Sequence, residues 1–177
     1  MEFKKLIEER RSIRKFVTSG ISETEMKEIV EEALNAPSWK NTEVTRYYAA
    51  VSDSMRSRLW NEALPSFNVT SSANAAALVA VTFKEGESGY MGDTPANELG
   101  EMWGAYDCGL ASSYFVLAAK DHGWDSLILG IRDADKIKKI FGIPSDEIVT
   151  SVIVLGKAAN PAAKPPRKLV DRVLKVS

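Results

Sequence analysis

The sequence predicts an α+β domain with a central sheet flanked by helices, and three observations carry that prediction. The run Ala76–Phe83 is continuously apolar, as a strand buried on both faces requires. Residues 22–35 and 99–120 carry apolar side chains at helical spacing. Helical and strand-like patterns alternate irregularly, with no internal repeat and no low-complexity linker. At 177 residues the chain is long enough for a single domain, 1–177, with a substantial core.

Each element has its own signal. Residues 2–10 place Phe3, Leu6 and Ile7 on one helical face. In the next helix Ser22 and Glu25 stand at capping-box spacing, and Ile21 with Met26 suits a hydrophobic staple. Met26, Ile29, Val30, Ala33 and Leu34 make its buried stripe, and Pro37 stops it. Tyr47–Val51 reads as a strand, and Asp53–Leu64 as a helix ended by Pro65. Glu85–Pro95, rich in glycine, reads as a loop of the kind that covers a site. Leu99–Lys120 is the longest helix, with Met102, Trp103, Tyr106, Leu110, Tyr114, Leu117 and Ala118 expected on its apolar side. Gly104, Gly109 and Ala111 would let another backbone approach it. Ser126–Leu129 is a short strand, Asp133 caps a small helix through Phe141, and Ile148–Leu155 is a β-branched strand. The tail from Pro161 is expected to run extended into a final strand, Leu169–Val176.

Bulk properties exclude several classes. A net charge of -1 gives no global field for nucleic acid or an anionic membrane. No apolar run approaches a membrane span, and Met1-Glu2-Phe3-Lys4-Lys5 lacks the apolar core of a signal peptide. Cys108 is the one cysteine, so no intrachain disulfide forms, which fits a cytoplasmic protein. One cysteine and one histidine cannot build the usual metal cage. His122, beside Gly123 at a helix end, suits a cap better than a catalytic triad. Cys108 suits a core thiol. Neither a dinucleotide fingerprint nor a P-loop is present.

Two segments remain. Arg10-Arg11-Ser12-Ile13-Arg14-Lys15 packs four cations and a hydroxyl into six residues. When extended, it points Arg10, Ser12 and Arg14 one way and Arg11, Ile13 and Lys15 the other. Two guanidiniums and a hydroxyl on one face match the oxygens of a phosphate, and they also suit a solvated basic patch. The second segment is Ala36-Pro37-Ser38-Trp39-Lys40-Asn41-Thr42, between a helix and a strand. It offers polar groups and one flat apolar face to the edge of a heteroaromatic ring. It would equally serve as a helix-ending loop whose Trp39 covers the core.

Taken together, Arg-x-Ser-x-Arg and the later Pro-Ser-x-x-Asn turn resemble the FMN-dependent nitroreductase family. The resemblance extends through Ala105–Ala111, Leu127–Gly130, Phe141–Pro144, Leu155-Gly156 and Pro165–Lys168. It implies a three-layer α-β-α sandwich, a mixed and mainly antiparallel sheet, and an intertwined homodimer whose tail 161–177 packs on the partner. It implies Arg10, Ser12 and Arg14 as ligands of FMN, with Arg11 as the variable neighbour. Pro37, Ser38, Trp39 and Asn41 resemble the turn that reaches the flavin from the partner subunit. Asn68 resembles an asparagine near the pyrimidine ring. Leu129 and Gly130 resemble the backbone facing flavin N5 and O4. Arg167, with Lys168 beside it, resembles the late cation that closes the phosphate site.

The implied activity is ping-pong hydride transfer from NADH or NADPH to a nitroaromatic or quinone-like small molecule, with no protein acid or base. Where many members continue Asn-x-Gln-Pro-Trp, this chain reads Asn41-Thr42-Glu43-Val44-Thr45. That departure bears on the acceptor. A non-catalytic flavin-binding or sensing module, a reductive dehalogenase of the same fold, and a cofactor-free interaction domain remain as alternatives at this point.

Overall fold

The computed structural model describes residues 2–177; Met1 lies outside the described residues. The helices are α1 (Phe3–Glu9), α2 (Glu23–Ala33), α3 (Asp53–Arg58), α4 (Ser66–Ser72), α5 (Met102–Asp121) and α6 (Ala134–Phe141). The strands are β1 (Phe16–Val17), β2 (Thr45–Ala50), β3 (Ala77–Lys84), β4 (Tyr90–Met91), β5 (Thr94–Pro95), β6 (Asp125–Leu129) and β7 (Glu147–Ala158).

The long strand β7 is the spine of the main sheet. β3 pairs along one side of it, from Ala77↔Leu155 to Lys84↔Glu147, and β2 pairs with β3 as the edge. On the other side lie β6 and, further along, β1. All these pairings are antiparallel, and Ser12↔Ser126 adds an isolated parallel bridge. Successive side chains alternate between faces, as a strand demands. Val79, Val81, Phe83, Ile153 and Leu155 pack with Met26, Ile29, Phe115 and Ala119 of α2 and α5. Leu78, Ala80, Val152 and Val154 pack with Leu59, Ile137 and Ile140 on the opposite face. The result is the expected sandwich of helix, sheet and helix.

Local signals set the helix ends. Ser22 Oγ accepts from the Glu25 N–H at 3.1 Å, and Glu25 Oε2 accepts from the Ser22 N–H at 3.0 Å. Ile21 and Met26, the staple pair, are both buried. Asp133 caps α6 by accepting from the Lys136 N–H, and Gly142 closes that helix in the left-handed region at φ 68°.

Four expectations are corrected. The stretch 53–64 is not one α-helix: α3 passes into a π-helical turn at Leu59–Ala63. The loop 85–95 contains a small hairpin, β4–β5. Leu169–Val176 forms no strand; it holds a short 3-10 turn at Val170–Arg172 and is exposed throughout. A strand exists only within a ladder, and no strand of the same chain reaches this tail. Finally, α5 turns Gly104, Asp107, Cys108, Ala111, Phe115 and Ala119 inward, while Met102, Tyr106 and Tyr114 stay exposed. At the N-terminal end of α5 the sheet leaves no room for a side chain: a Cβ on Gly104 would stand 2.4 Å from the Phe83 ring.

Candidate functional site

The cationic segment 10–15 follows α1 and runs beside β6, held there by the Ile13 N–H donating to Ser126 O at 2.9 Å. Ile13 is buried while Ser12 and Arg14 face solvent, but Lys15 is exposed as well and Arg10 and Arg11 are both half-buried, so only the central part of the expected alternation appears. Arg11 Nη1 donates to Arg10 O at 2.7 Å. Its Nε is buried with no partner. Burial, then the neighbouring Arg11 and then Arg167 hold the Arg10 guanidinium below the ordinary arginine range. Arg167 in the tail lies near enough to add its charge to that of Arg11, and both it and Lys168 are exposed. Among the described residues, no carboxylate forms an ion pair with Arg10, Arg11, Arg14, Lys15 or Arg167. Crowded cations without a counter-ion, one with a buried orphan donor, fit a phosphate-bearing ligand.

The turn after Pro37 gathers three of the four non-glycine residues with positive φ among the described residues. Lys40, Asn41 and Glu43 all take positive φ, at 47°, 58° and 48°. Non-glycine residues persist there only when their surroundings over-determine them. Ser38 Oγ accepts from the Glu43 N–H at 3.0 Å, and Asn41 Nδ2 donates to Glu43 Oε1 at 2.8 Å. The Trp39 N–H donates to Asp107 Oδ2 at 2.9 Å. Glu43, the departure from the family pattern, thus braces Asn41 from within the turn. The space between turn and α5 is about 20 Å³, room for about one water, so a ring can meet this turn only from outside.

The two segments do not meet within one chain. The turn leads into β2 at one sheet edge; the cations flank β6 and β1 at the other. Asn68 sits on α4, buried, its Nδ2 donating to Ile131 O at 2.7 Å. This bond fixes the backbone just beyond Leu129 and Gly130. Leu129 closes β6 with its side chain in the core, and Gly130 is exposed with nothing within 4 Å of an added Cβ. The strand end is therefore open to a ligand.

Asp107 was not anticipated. It lies in the otherwise apolar run Ala105–Ala111, and that lone carboxylate among apolar neighbours was the available signal. It accepts from both Trp39 and the Ser88 hydroxyl. Cys108 beside it is a core thiol, as expected: burial pushes its pKa up, and Thr150 Oγ1 lies 3.2 Å from its sulfur. His122 caps α5 and its Nε2 meets Glu32 Oε1 at 2.9 Å, away from both segments.

The architecture and the paired segments define a class. The model of the Nitroreductase family matches residues 7–157, and the chain belongs to that family. A provisionally assigned NAD(P)H nitroreductase of Bacillus subtilis, YdgI, is 28% identical, over 97% of this chain and 96% of its own. A provisionally assigned NADH dehydrogenase/NAD(P)H nitroreductase of Archaeoglobus fulgidus is 30% identical, over 86% of this chain and 83% of its own. A solved nitroreductase-like protein of Exiguobacterium sibiricum, in complex with FMN, superposes with a TM-score of 0.88 at 25% identity. That likeness covers 100% of this chain and 98% of that one. No helix among the described residues is long and apolar enough to cross a membrane.

Proposed function

We propose that this protein is an FMN-dependent NAD(P)H oxidoreductase that reduces nitroaromatic or quinone-like acceptors. The observation that carries the reading is the cation cluster of Arg10, Arg11 and Arg167, which forms no ion pair with a carboxylate among the described residues and lies on the segment bridged to β6 at Ser126. The similarity to FMN-bound and NAD(P)H-linked relatives supports the same cofactors.

Arg10, Ser12, Arg14 and Arg167 hold the FMN phosphate and ribityl chain, with Arg11 and Lys168 as supporting charge. The Leu129–Gly130 backbone and Arg14 would hold the flavin on its pyrimidine side, where donors would stabilise developing negative charge. Asn68 positions that backbone through Ile131. Pro37, Ser38, Trp39 and Asn41 close the site from the second subunit. Bound FMN would supply the two-electron redox chemistry linking NADH or NADPH to the acceptor in alternating half-reactions. No side chain is needed as acid or base.

The site is completed by a homodimer. Its two halves lie at opposite sheet edges, and α5 leaves Met102, Tyr106 and Tyr114 uncovered. The tail leaves Leu169, Val170 and Val173 uncovered as well. Exposed apolar stripes of this kind are buried on association. Equilibrium titration with FMN, followed by flavin fluorescence quenching and light scattering, tests the reading. Two FMN per dimer is expected; a monomer that binds FMN tightly contradicts the two-chain site.

A further inference from the structure

The segment 85–101 is tied to the strained turn through one buried oxygen. Asp107 Oδ2 accepts from the Trp39 N–H at 2.9 Å and from the Ser88 hydroxyl at 2.6 Å. Asp107 and Ser88 are 2% and 0% exposed. Hydrogen bonds to a buried carboxylate are among the stronger ones, and leaving such a charge short of a donor is costly. A second tie runs outside: Lys40 Nζ meets Met91 Sδ at 2.6 Å, joining turn to hairpin.

These ties place an aromatic pair. Trp39 and Trp103 have ring centroids 4.9 Å apart at an interplanar angle of 51°, and Tyr106 packs edge-on against Trp103 at 5.4 Å. Trp103 Nε1 donates to Asn97 Oδ1 at 2.9 Å, and the same oxygen accepts from the Leu99 N–H at 3.1 Å. The segment is also closed on itself: a Cβ on Gly89 would lie 2.4 Å from Gly100 O. Trp103 is thus fixed from three directions, yet it remains partly open to solvent.

We propose that segment 85–101 is the acceptor-selecting element, that Asp107 and Ser88 are its positioning residues, and that the Trp39–Trp103 pair selects flat conjugated acceptors. This rests on the oxidoreductase reading above, because Trp39 belongs to the turn assigned to the flavin. Ser88 and Asp107 touch no reacting atom; they set where the indoles stand. A compact, non-stacking electron acceptor gains nothing from such a wall, whereas a planar ring loses its stacking surface when the wall moves.

The test compares the holoenzyme with Ser88→Ala, which removes one donor and leaves the Trp39–Asp107 bond, and with Trp103→Ala, which removes the wall. The probes are naphthoate, a flat non-reducible ring read by tryptophan quenching, and menadione and ferricyanide as acceptors. Far-ultraviolet circular dichroism reads the coupling of the indole pair. In both variants the naphthoate Kd and the menadione KM are expected to rise up to about tenfold, the scale of one lost aromatic contact. The indole coupling should weaken, with the ferricyanide rate per bound FMN kept. Unchanged naphthoate Kd and menadione KM in both variants would overturn the proposal. A wild-type protein without FMN would overturn the oxidoreductase reading instead, and naphthoate quenching would still report on the wall.

Discussion

Arg167, from the opposite end of the chain, lies near enough to Arg10 to help lower its pKa, after burial and the neighbouring Arg11. Neither Arg10 nor Arg167 forms an ion pair with a carboxylate among the described residues. Such an arrangement is unfavourable in the free protein and favourable once an anion arrives. Arg10→Ala should therefore weaken FMN binding about tenfold or more while leaving the cofactor-free protein no less stable. Fluorescence titration and urea unfolding of the apoprotein read the two effects separately. Raising ionic strength should weaken FMN binding in the wild type and weaken it less in the variant.

Two carboxylates are held below their ordinary values by caps. Glu25 is lowered by the Ser22 N–H first and the Ser22 hydroxyl second; Asp133 is lowered chiefly by the Lys136 N–H. A depressed folded-state pKa contributes stability that is fully present above the unfolded value and is lost as pH falls through the folded one. The stability gap between wild type and Glu25→Gln should therefore be constant above the ordinary 4.5 and close below it. The gap for Asp133→Asn should close below 3.8. Urea midpoints across that range measure both.

Gly104 and Gly109 share a helix but not an environment. An added Cβ at Gly104 meets Phe83 at 2.4 Å, while at Gly109 nothing lies within 4 Å. Gly104→Ala should destabilise by about 1–3 kcal/mol through overpacking, outweighing the roughly 1 kcal/mol helix gain. Gly109→Ala should keep that gain unless a second chain packs there. Unfolding midpoints at several protein concentrations separate the cases.

The uncovered face of α5 makes a prediction about assembly. Tyr114→Lys places a charge beside Phe3 and Leu6 in an apolar groove of about 480 Å³. It should shift the dimer towards monomer in light scattering and lower FMN occupancy together. A monomeric variant with full FMN content would separate assembly from the site.

Much of the fold was legible because its signals are local. Ser22 with Glu25, Asp133 at the start of α6, and the apolar run of β3 each reveal themselves within a few residues. What was missed depends on distant partners. Helix α4 is built of Ser66, Thr70, Ser71 and other weak helix formers, and tertiary packing overrides their propensity. The tail has strand-like residues but no ladder within its own chain. On α5 the bulky aromatics suggested the core side, yet the inward face is built of Gly104, Cys108, Ala111, Phe115 and Ala119, and Tyr106 and Tyr114 turn outward. In the site, Arg10–Arg14 and Ser38–Asn41 were readable as patterns. Asp107 was not, because its partners Trp39 and Ser88 lie far away in sequence.

The most direct measurement is the visible spectrum of the purified protein, reconstituted with FMN if colourless, during anaerobic titration with NADH and then NADPH. Flavin bands that bleach with one nicotinamide and return on adding menadione are the expected result. A protein that takes up no FMN, or whose bound FMN keeps its bands with both donors, would contradict the assignment as a nicotinamide-driven flavin oxidoreductase.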